Sequence, residues 1–62
     1  MWDIILDDEA SKGRFPVTSL FTIEGDETND PSEASTFVAS RPDGKWIGGF
    51  VCSGKVVPRR HQ

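Results

Sequence analysis

The sequence predicts a small, mainly β protein: a five-stranded antiparallel meander or an SH3-like partly open barrel. Short segments alternate apolar and polar residues with a period of two, and turn signals separate these segments. With 62 residues and a hydrophobic share of 35%, the chain can bury only one small core. Residues 1–62 are therefore expected to form one domain, with a frayed tail at 59–62. The alternative is an α+β fold in which a helix at 31–39 covers the sheet.

The first predicted strand covers residues 2–7. Trp2, Ile4 and Leu6 occupy every second position of this strand, so that one of its faces is fully apolar. Residues 8–14 are mostly polar and contain a glycine, which indicates a loop before the next strand.

The second predicted strand covers residues 17–24, which are rich in β-branched and aromatic side chains. Its two faces differ in composition. The face expected to turn towards the core carries Val17, Ser19, Phe21 and Ile23.

The segment after this strand is the one place where the local sequence favours a helix. Asp30 suits a helix N-cap, a proline follows at the first helical position, and Glu33 completes a capping box. We expect one helical turn at 31–35 and then a strand at 36–41, because most residues of that strand are poorer helix formers than alanine or leucine. A longer helix over 31–39 is the alternative.

A hairpin is predicted in the last third of the chain. Residues 41–45 combine a proline at the second position of a type I turn with a glycine where a positive φ is needed. This turn joins strands at 37–40 and 46–52. A second turn at 53–54 is expected to bring the chain back through 55–57, so that the last strand pairs with 46–52.

The residues around the first of these turns resemble part of a known fold. The stretch Asp43-Gly44-Lys45-Trp46, together with Phe50 and Val51, is similar to the first hairpin of Tudor-type and other SH3-like domains. The likeness is confined to this hairpin and is not a family assignment. The further aromatic residues that hold methylated side chains in such domains are missing, since the chain has no tyrosine.

Charge is distributed unevenly along the chain. The formal net charge is −3 and the pI is about 4.8, yet residues 1–33 hold nine acids and two bases, while residues 34–62 hold one acid and five bases. Attraction between the two halves, within one fold or across a dimer, explains this division most simply. Separate acidic and basic functional surfaces are the alternative.

The cysteine content and the N-terminal sequence predict a cytoplasmic protein. The single cysteine, Cys52, cannot form an intrachain disulfide, and free thiols are typical of a reducing compartment. The apolar run near the N-terminus is too short for a signal peptide and is followed by acids. No membrane-spanning stretch is predicted.

No catalytic or cofactor site is recognisable. The only histidine, His61, is the second residue from the end, where nothing fixes its orientation towards Cys52. The spacing of Asp26, Thr28 and Asp30 matches the start of an EF-hand calcium loop, but the glycine and the glutamate required later are missing. We therefore expect neither enzymatic activity nor a bound cofactor or metal.

The remaining features favour a non-enzymatic interaction module that binds another protein through a sheet edge or through the acidic 24–33 loop. A homodimer and a monomer both remain open. The alternative function is nucleic-acid binding by the basic C-terminal hairpin, against which the acidic pI counts. Trp46, beside a turn, is interpreted first as a packing residue. The candidate binding residues are Arg41, Lys45, Trp46, Asp26 and Asp30.

Overall fold

The computed structural model describes residues 1–59, which form six β-strands and one short 3-10 helix. The strands are β1 (Trp2–Asp7), β2 (Lys12–Phe21), β3 (Glu27–Thr28), β4 (Thr36–Ser40), β5 (Trp46–Phe50) and β6 (Gly54–Pro58). The 3-10 helix, Val51–Ser53, connects β5 to β6. The part of the predicted tail at 60–62 lies outside the described residues.

The strands form one open antiparallel sheet in the order β5-β4-β2-β1-β6, with β3 paired to β2 beside this path. The predicted mainly β fold class is therefore confirmed, and β3 adds a two-residue sixth strand. Residues 1–59 contain no α-helix, so the α+β alternative with a helix at 31–39 is wrong. In the same part of the chain, no helix has the length and apolar character needed to cross a membrane.

β1 and β2 are joined by a tight turn. The backbones of Asp8 and Ser11 are hydrogen-bonded to each other in both directions, at 3.2 and 3.1 Å. β2 therefore begins at Lys12. The loop predicted at 8–14 is confined to 8–11, because the ladder with β1 extends further than the polar sequence indicated.

β2 contains a bulge that changes which of its residues face the core. Val17 pairs with Ala39 of β4 and Ser19 pairs with Val38, so that Thr18 is an extra residue on β2. The Thr18 hydroxyl donates a 3.0 Å hydrogen bond to the Val38 carbonyl. Because side chains alternate along a strand, one extra residue reverses the two faces beyond it.

This reversal makes the predicted core face of β2 wrong beyond its first residue. Val17 is buried, as predicted, but the next core residue is Leu20, which is 2% exposed. Ser19 and Phe21 lie on the opposite face of the strand. Ile23, which follows β2, is 82% exposed.

The sheet curls around one apolar core. The buried side chains come from β1, β2 and β4, and they are Ile4, Leu6, Val17, Leu20, Phe37 and Ala39. Partly buried apolar side chains pack against them, including Trp2 of β1, Ile47 of β5 and Val56 of β6. β1 thus supplies the apolar face predicted for it.

The helical turn predicted after Asp30 is a short turn and not a helix. The Glu33 N–H bonds to the Asp30 carbonyl at 3.1 Å, which is 3-10 spacing. The Asp30 carboxylate accepts a 3.0 Å hydrogen bond from the Ser32 N–H, as expected of a capping residue. The Ser35 N–H then bonds to the Phe21 carbonyl at 2.8 Å, which joins the chain to β2, and it continues as β4.

The hairpin between β4 and β5 is confirmed. The Arg41 N–H bonds to the Lys45 carbonyl at 2.8 Å, and the Gly44 N–H bonds to the Arg41 carbonyl at 3.1 Å. Gly44 has a φ of 84°, the left-handed conformation that ends a three-residue hairpin loop. This turn places Trp46 opposite Ser40 at the start of β5.

The last strand does not pair with β5, so that part of the prediction is wrong. Val51–Ser53 form the 3-10 helix, and the Gly54 N–H bonds to the Val51 carbonyl. The helix carries the chain across to β1, where Val56 of β6 lies opposite Ile4. This pairing covers the free side of β1 and packs Val56 against the core, which a return along β5 would not do.

The close approach of β6 to β1 leaves no room for a side chain at Gly54. A Cβ atom there would lie 2.7 Å from the Ile5 carbonyl oxygen and 2.7 Å from Leu6 Cδ2. We expect Gly54→Ala to lower the free energy of unfolding by about 1–3 kcal/mol in urea denaturation, because the backbone must shift. The control is Gly48→Ala, whose Cβ would lie 3.7 Å from the Phe37 carbonyl and should cost less than about 0.5 kcal/mol. Equal losses would contradict this β1–β6 packing.

Candidate functional site

The outer face of β5 presents two exposed aromatic side chains. Ile47 packs against the core, so the alternating residues Trp46 and Phe50 point to the opposite face, where they are 63% and 64% exposed. Gly48 lies between them on the same face, opposite Val38 of β4. The alternation that turns Ile47 inwards keeps the Trp46 ring out of the core, which corrects its interpretation as a packing residue.

A groove of about 620 Å³ extends from Phe50 towards the turn after β2. We call it the Phe50 groove, and its apolar and thiol-bearing walls are formed by Ile23, Ala34, Phe50, Val51 and Cys52. Ile23 and Phe50 are both largely exposed, so the groove is open to solvent. Its volume lies within the range of pockets that bind small molecules.

The turn that forms one side of the groove is acidic. The Thr22 N–H bonds to the Asp26 carbonyl at 2.8 Å, and the Asp26 N–H bonds to the Thr22 hydroxyl at 3.2 Å. Gly25 closes this turn with a φ of 94°. Glu24 and Asp26 flank Gly25 in the wall of the groove and are both exposed, which places negative charge beside the groove.

Asp30, the other predicted acidic residue, shapes the same loop. Its carboxylate accepts hydrogen bonds from the Ser32 hydroxyl at 2.7 Å and from the Ser32 N–H at 3.0 Å. These hydrogen bonds hold the pKa of Asp30 below its ordinary value. The Trp2 indole N–H donates to the Asn29 carbonyl at 3.0 Å and ties the loop to β1.

The basic candidates lie at the tip of the β4–β5 hairpin. The Arg41 Nε is 3.5 Å from the Asp43 carboxylate, which also accepts a 3.0 Å hydrogen bond from the Lys45 N–H. The positive charge of Arg41 is therefore offset within the turn. Lys45 is exposed and directly precedes Trp46.

The five predicted site residues thus form two groups and not one site. One group lies in the turn before β5 and at its first residue. The other lies on the acidic loop, and the first part of that loop borders the groove near the end of β5. The first group is Arg41, Lys45 and Trp46, and the second is Asp26 and Asp30.

An ion cluster on the outer face of β1 was not predicted. Asp3 is 7% exposed and accepts hydrogen bonds from Arg14 Nε at 2.8 Å and from Arg59 Nε at 3.1 Å. Both guanidinium groups also bind backbone carbonyls: Arg14 donates to Pro58 at 2.8 Å, and Arg59 donates to Val17 at 3.3 Å. One carboxylate therefore ties β1 to β2 and to the residue that follows β6.

The two arginines determine the ionisation of Asp3. Hydrogen bonding to Arg14 lowers its pKa below the ordinary value of 3.8, burial opposes this shift, and Arg59 reinforces it. Arg59 belongs to the predicted tail at 59–62, yet its side chain is bound to β1 and β2.

Two signals were open to sequence reasoning and two were not. An acid between apolar neighbours, as at Asp3, indicates a residue that needs a basic partner if it is buried. Which arginines supply that charge depends on the pairing of β1, which is non-local. The exposure of Ile23 depends on where β2 ends, because the strand stops at Phe21 and Ile23 lies in the turn that follows. Phe50, by contrast, could have been placed outside by alternation from Ile47.

The exposure of Trp46 is testable by its effect on stability. We expect Trp46→Ala to change the free energy of unfolding by less than about 1 kcal/mol, because little of the ring is buried. Phe37→Ala, at a residue 2% exposed, should cost about 3–5 kcal/mol. Urea denaturation in a sulfate buffer that supports a weakened variant, followed by circular dichroism, measures both. A large loss at Trp46 would show that its ring is packed in the core.

The ion cluster predicts a loss of stability in acid. Because the folded-state pKa of Asp3 is lowered, its contribution is complete well above 3.8 and is lost as the pH falls through and below that value. We expect Asp3→Asn to lower the free energy of unfolding at neutral pH by about 2–4 kcal/mol, since two arginines lose their counter-charge. Asp7→Asn, at an exposed acid on the same strand, should cost less than about 0.5 kcal/mol.

Urea denaturation between pH 3 and pH 7, in a sulfate buffer that supports a weakened variant, measures this contribution. The parent and Asp7→Asn should lose stability together as the pH falls, while Asp3→Asn should show a flatter dependence. Parallel pH profiles for all three proteins would show that the cluster does not stabilise the fold.

Comparisons of the chain with known protein families, with curated proteins and with solved structures found no match. Among residues 1–59, no three His, Cys, Asp or Glu side chains are placed to share a metal ion. The features that bear on function are therefore the groove, its acidic side and the exposed face of β5.

Proposed function

We propose that the protein is a non-enzymatic interaction module that binds a segment of another protein in the Phe50 groove. The observation that carries this proposal is the exposure of Ile23 and Phe50 on two sides of one groove. Apolar side chains that remain in water around a concave surface release free energy when a partner covers them. The bound segment inserts an aliphatic or aromatic side chain between them.

The charge beside the groove selects a basic segment. Glu24 and Asp26 are exposed on the turn whose residues Ile23 and Gly25 line the groove. A lysine or arginine next to the inserted apolar residue interacts favourably with these carboxylates and steers the encounter. In this proposal the acidic 24–33 loop is the recognition element, and Asp30 maintains its shape.

We place this activity in the cytoplasm. Cys52 is a free, exposed thiol in the wall of the groove. An exposed thiol beside a binding surface is compatible with a reducing compartment and prone to oxidation outside it.

Nucleic-acid binding is the second candidate, because Trp46 is exposed beside Lys45 and an aromatic face next to a cation can hold single strands. Two observations count against it. Arg59 is bound to Asp3 and Arg41 lies against Asp43, so these cations are engaged within the fold. The net charge of −3 also opposes association with phosphates.

Selection from a phage-displayed random peptide library tests the proposal with a defined set of ligands. We expect the selected peptides to share an aliphatic or aromatic residue next to lysine or arginine. Ile23→Ser should weaken a selected peptide by about tenfold, because one apolar wall is removed. Ile5→Ser, at another exposed isoleucine that does not line the groove, should leave the affinity unchanged. Equal binding to both variants, or no selected peptide, would contradict the proposal.

The acidic side of the groove is tested with the same peptide. Glu24→Gln combined with Asp26→Asn should weaken binding about two- to fivefold at low salt, because the electrostatic attraction is lost. Glu9→Gln, at an exposed acid in the β1–β2 turn, should have no effect. A shift of a single-stranded oligonucleotide in a gel at about 50 mM salt, abolished at higher salt, would instead support the second candidate.

A further inference from the structure

The free edge of β5 presents a defined set of hydrogen-bonding groups. Within residues 1–59, β5 pairs with β4 on one side and with no strand on the other. The bond from the Arg41 N–H to the Lys45 carbonyl fixes the phase of the β4–β5 ladder. Because hydrogen-bonded and non-bonded pairs alternate along an antiparallel ladder, the backbone groups of Trp46, Gly48 and Phe50 point outwards.

We propose that a second copy of the chain occupies this edge, β5 against β5, in an antiparallel arrangement about a two-fold axis at Gly48. Gly48 then faces Gly48 of the second copy, and Trp46 faces its Phe50 at both ends. Each facing residue directs its N–H and C=O across the interface, which gives about six hydrogen bonds. A shift by one residue would remove this match.

The side chains fit the same register. Trp46 and Phe50 share the outer face of β5 and are both largely exposed. Antiparallel pairing sets each tryptophan beside a phenylalanine, and such aromatic cross-strand pairs stabilise sheets. Gly48 has no side chain, so the aromatic pairs on either side of the axis do not crowd one another.

Charge favours the antiparallel orientation over the parallel one. The start of β5 follows the hairpin that carries Lys45, whereas its end lies beside the groove with Glu24 and Asp26. Antiparallel pairing brings the basic end of one copy towards the acidic end of the other. Parallel pairing would place ends of the same sign together, which opposes association.

The other edge of the sheet is less suited to this role. β6 carries an exposed Lys55 and ends at Pro58. Lysine and proline on an edge strand discourage the addition of another strand. β5 has neither residue type within its bounds, so its edge is the one assigned to the second copy.

The proposed interface is distinct from the peptide site. Ile23 and the acidic turn follow β2, which lies on the far side of β4 from the free edge. Phe50 belongs to both surfaces, and the charges of Glu24 and Asp26 act on both. Experiments that vary Gly48 therefore test the dimer without altering the groove, and its failure leaves the proposed function standing.

Sedimentation equilibrium from low to high micromolar concentrations measures the dimer. Gly48→Pro removes the outward N–H at the axis but none of the hydrogen bonds to β4, and it should weaken dimerisation by about tenfold or more. Gly48→Ala keeps that N–H and should remain dimeric. Circular dichroism establishes that both variants are folded. A parent protein that stays monomeric, or a dimer unaffected by Gly48→Pro, would overturn the proposal.

The register is tested by crosslinking in a Cys52→Ser background, which does not depend on the proline variant folding. Facing residues have Cα atoms about 5.5 Å apart, within reach of a disulfide. Gly48→Cys should therefore form a covalent dimer under mild oxidation. Trp46→Cys should not, because the two copies of position 46 are about 13 Å apart. Absence of the Gly48→Cys crosslink, or equal crosslinking at both positions, would exclude this arrangement.

Discussion

The extra residue at Thr18 is the constraint on which the rest of the structure depends. β2 pairs with β1 at its start and with β4 at its end, so it must present apolar side chains to the same core on both sides of this change. Val17 and Leu20 lie three positions apart and would face opposite sides of a regular strand. The bulge between them restores one continuous apolar face and bends the sheet around it. Ile23 lies beyond the end of this strand, in a turn that leaves its side chain exposed on one side of the groove.

A core of this size contributes only about 3–5 kcal/mol of net stability. The Asp3 cluster therefore accounts for a large part of the free energy of unfolding. Taking a carboxylate and two guanidinium groups from water is costly unless each is hydrogen-bonded. Here Asp3 accepts from both arginines, which also bind carbonyls of strands β1 and β2 and of Pro58. Arg59 comes from the basic half of the sequence and Asp3 from the acidic half, so the division of charge along the chain is partly resolved by contact within the fold.

The features that could be predicted from sequence are those set by neighbouring residues. The Pro-Asp-Gly turn determines the hairpin at Gly44. The alternation in β1 determines that the face carrying Ile4 and Leu6 is the buried one. The partner of β6 could not be predicted, because the turn signal before Gly54 says only that the chain changes direction. The candidate residues Asp26 and Lys45 were found from charge alone. Charge does not indicate that Phe50, at the other end of β5 from Lys45, lines a groove beside the acidic turn.

Phe50 connects the two proposed interactions because its side chain lines the groove and its backbone faces the free edge of β5. In the two proposed complexes, a segment bound in the groove and a second copy on the free edge would each restrict the rotamers of this ring. If both complexes require the same rotamer of Phe50, the interaction that forms first orders the ring, and the second interaction no longer loses that conformational entropy. If the rotamers differ, each interaction weakens the other by an equal factor, since coupling between two binding equilibria is reciprocal.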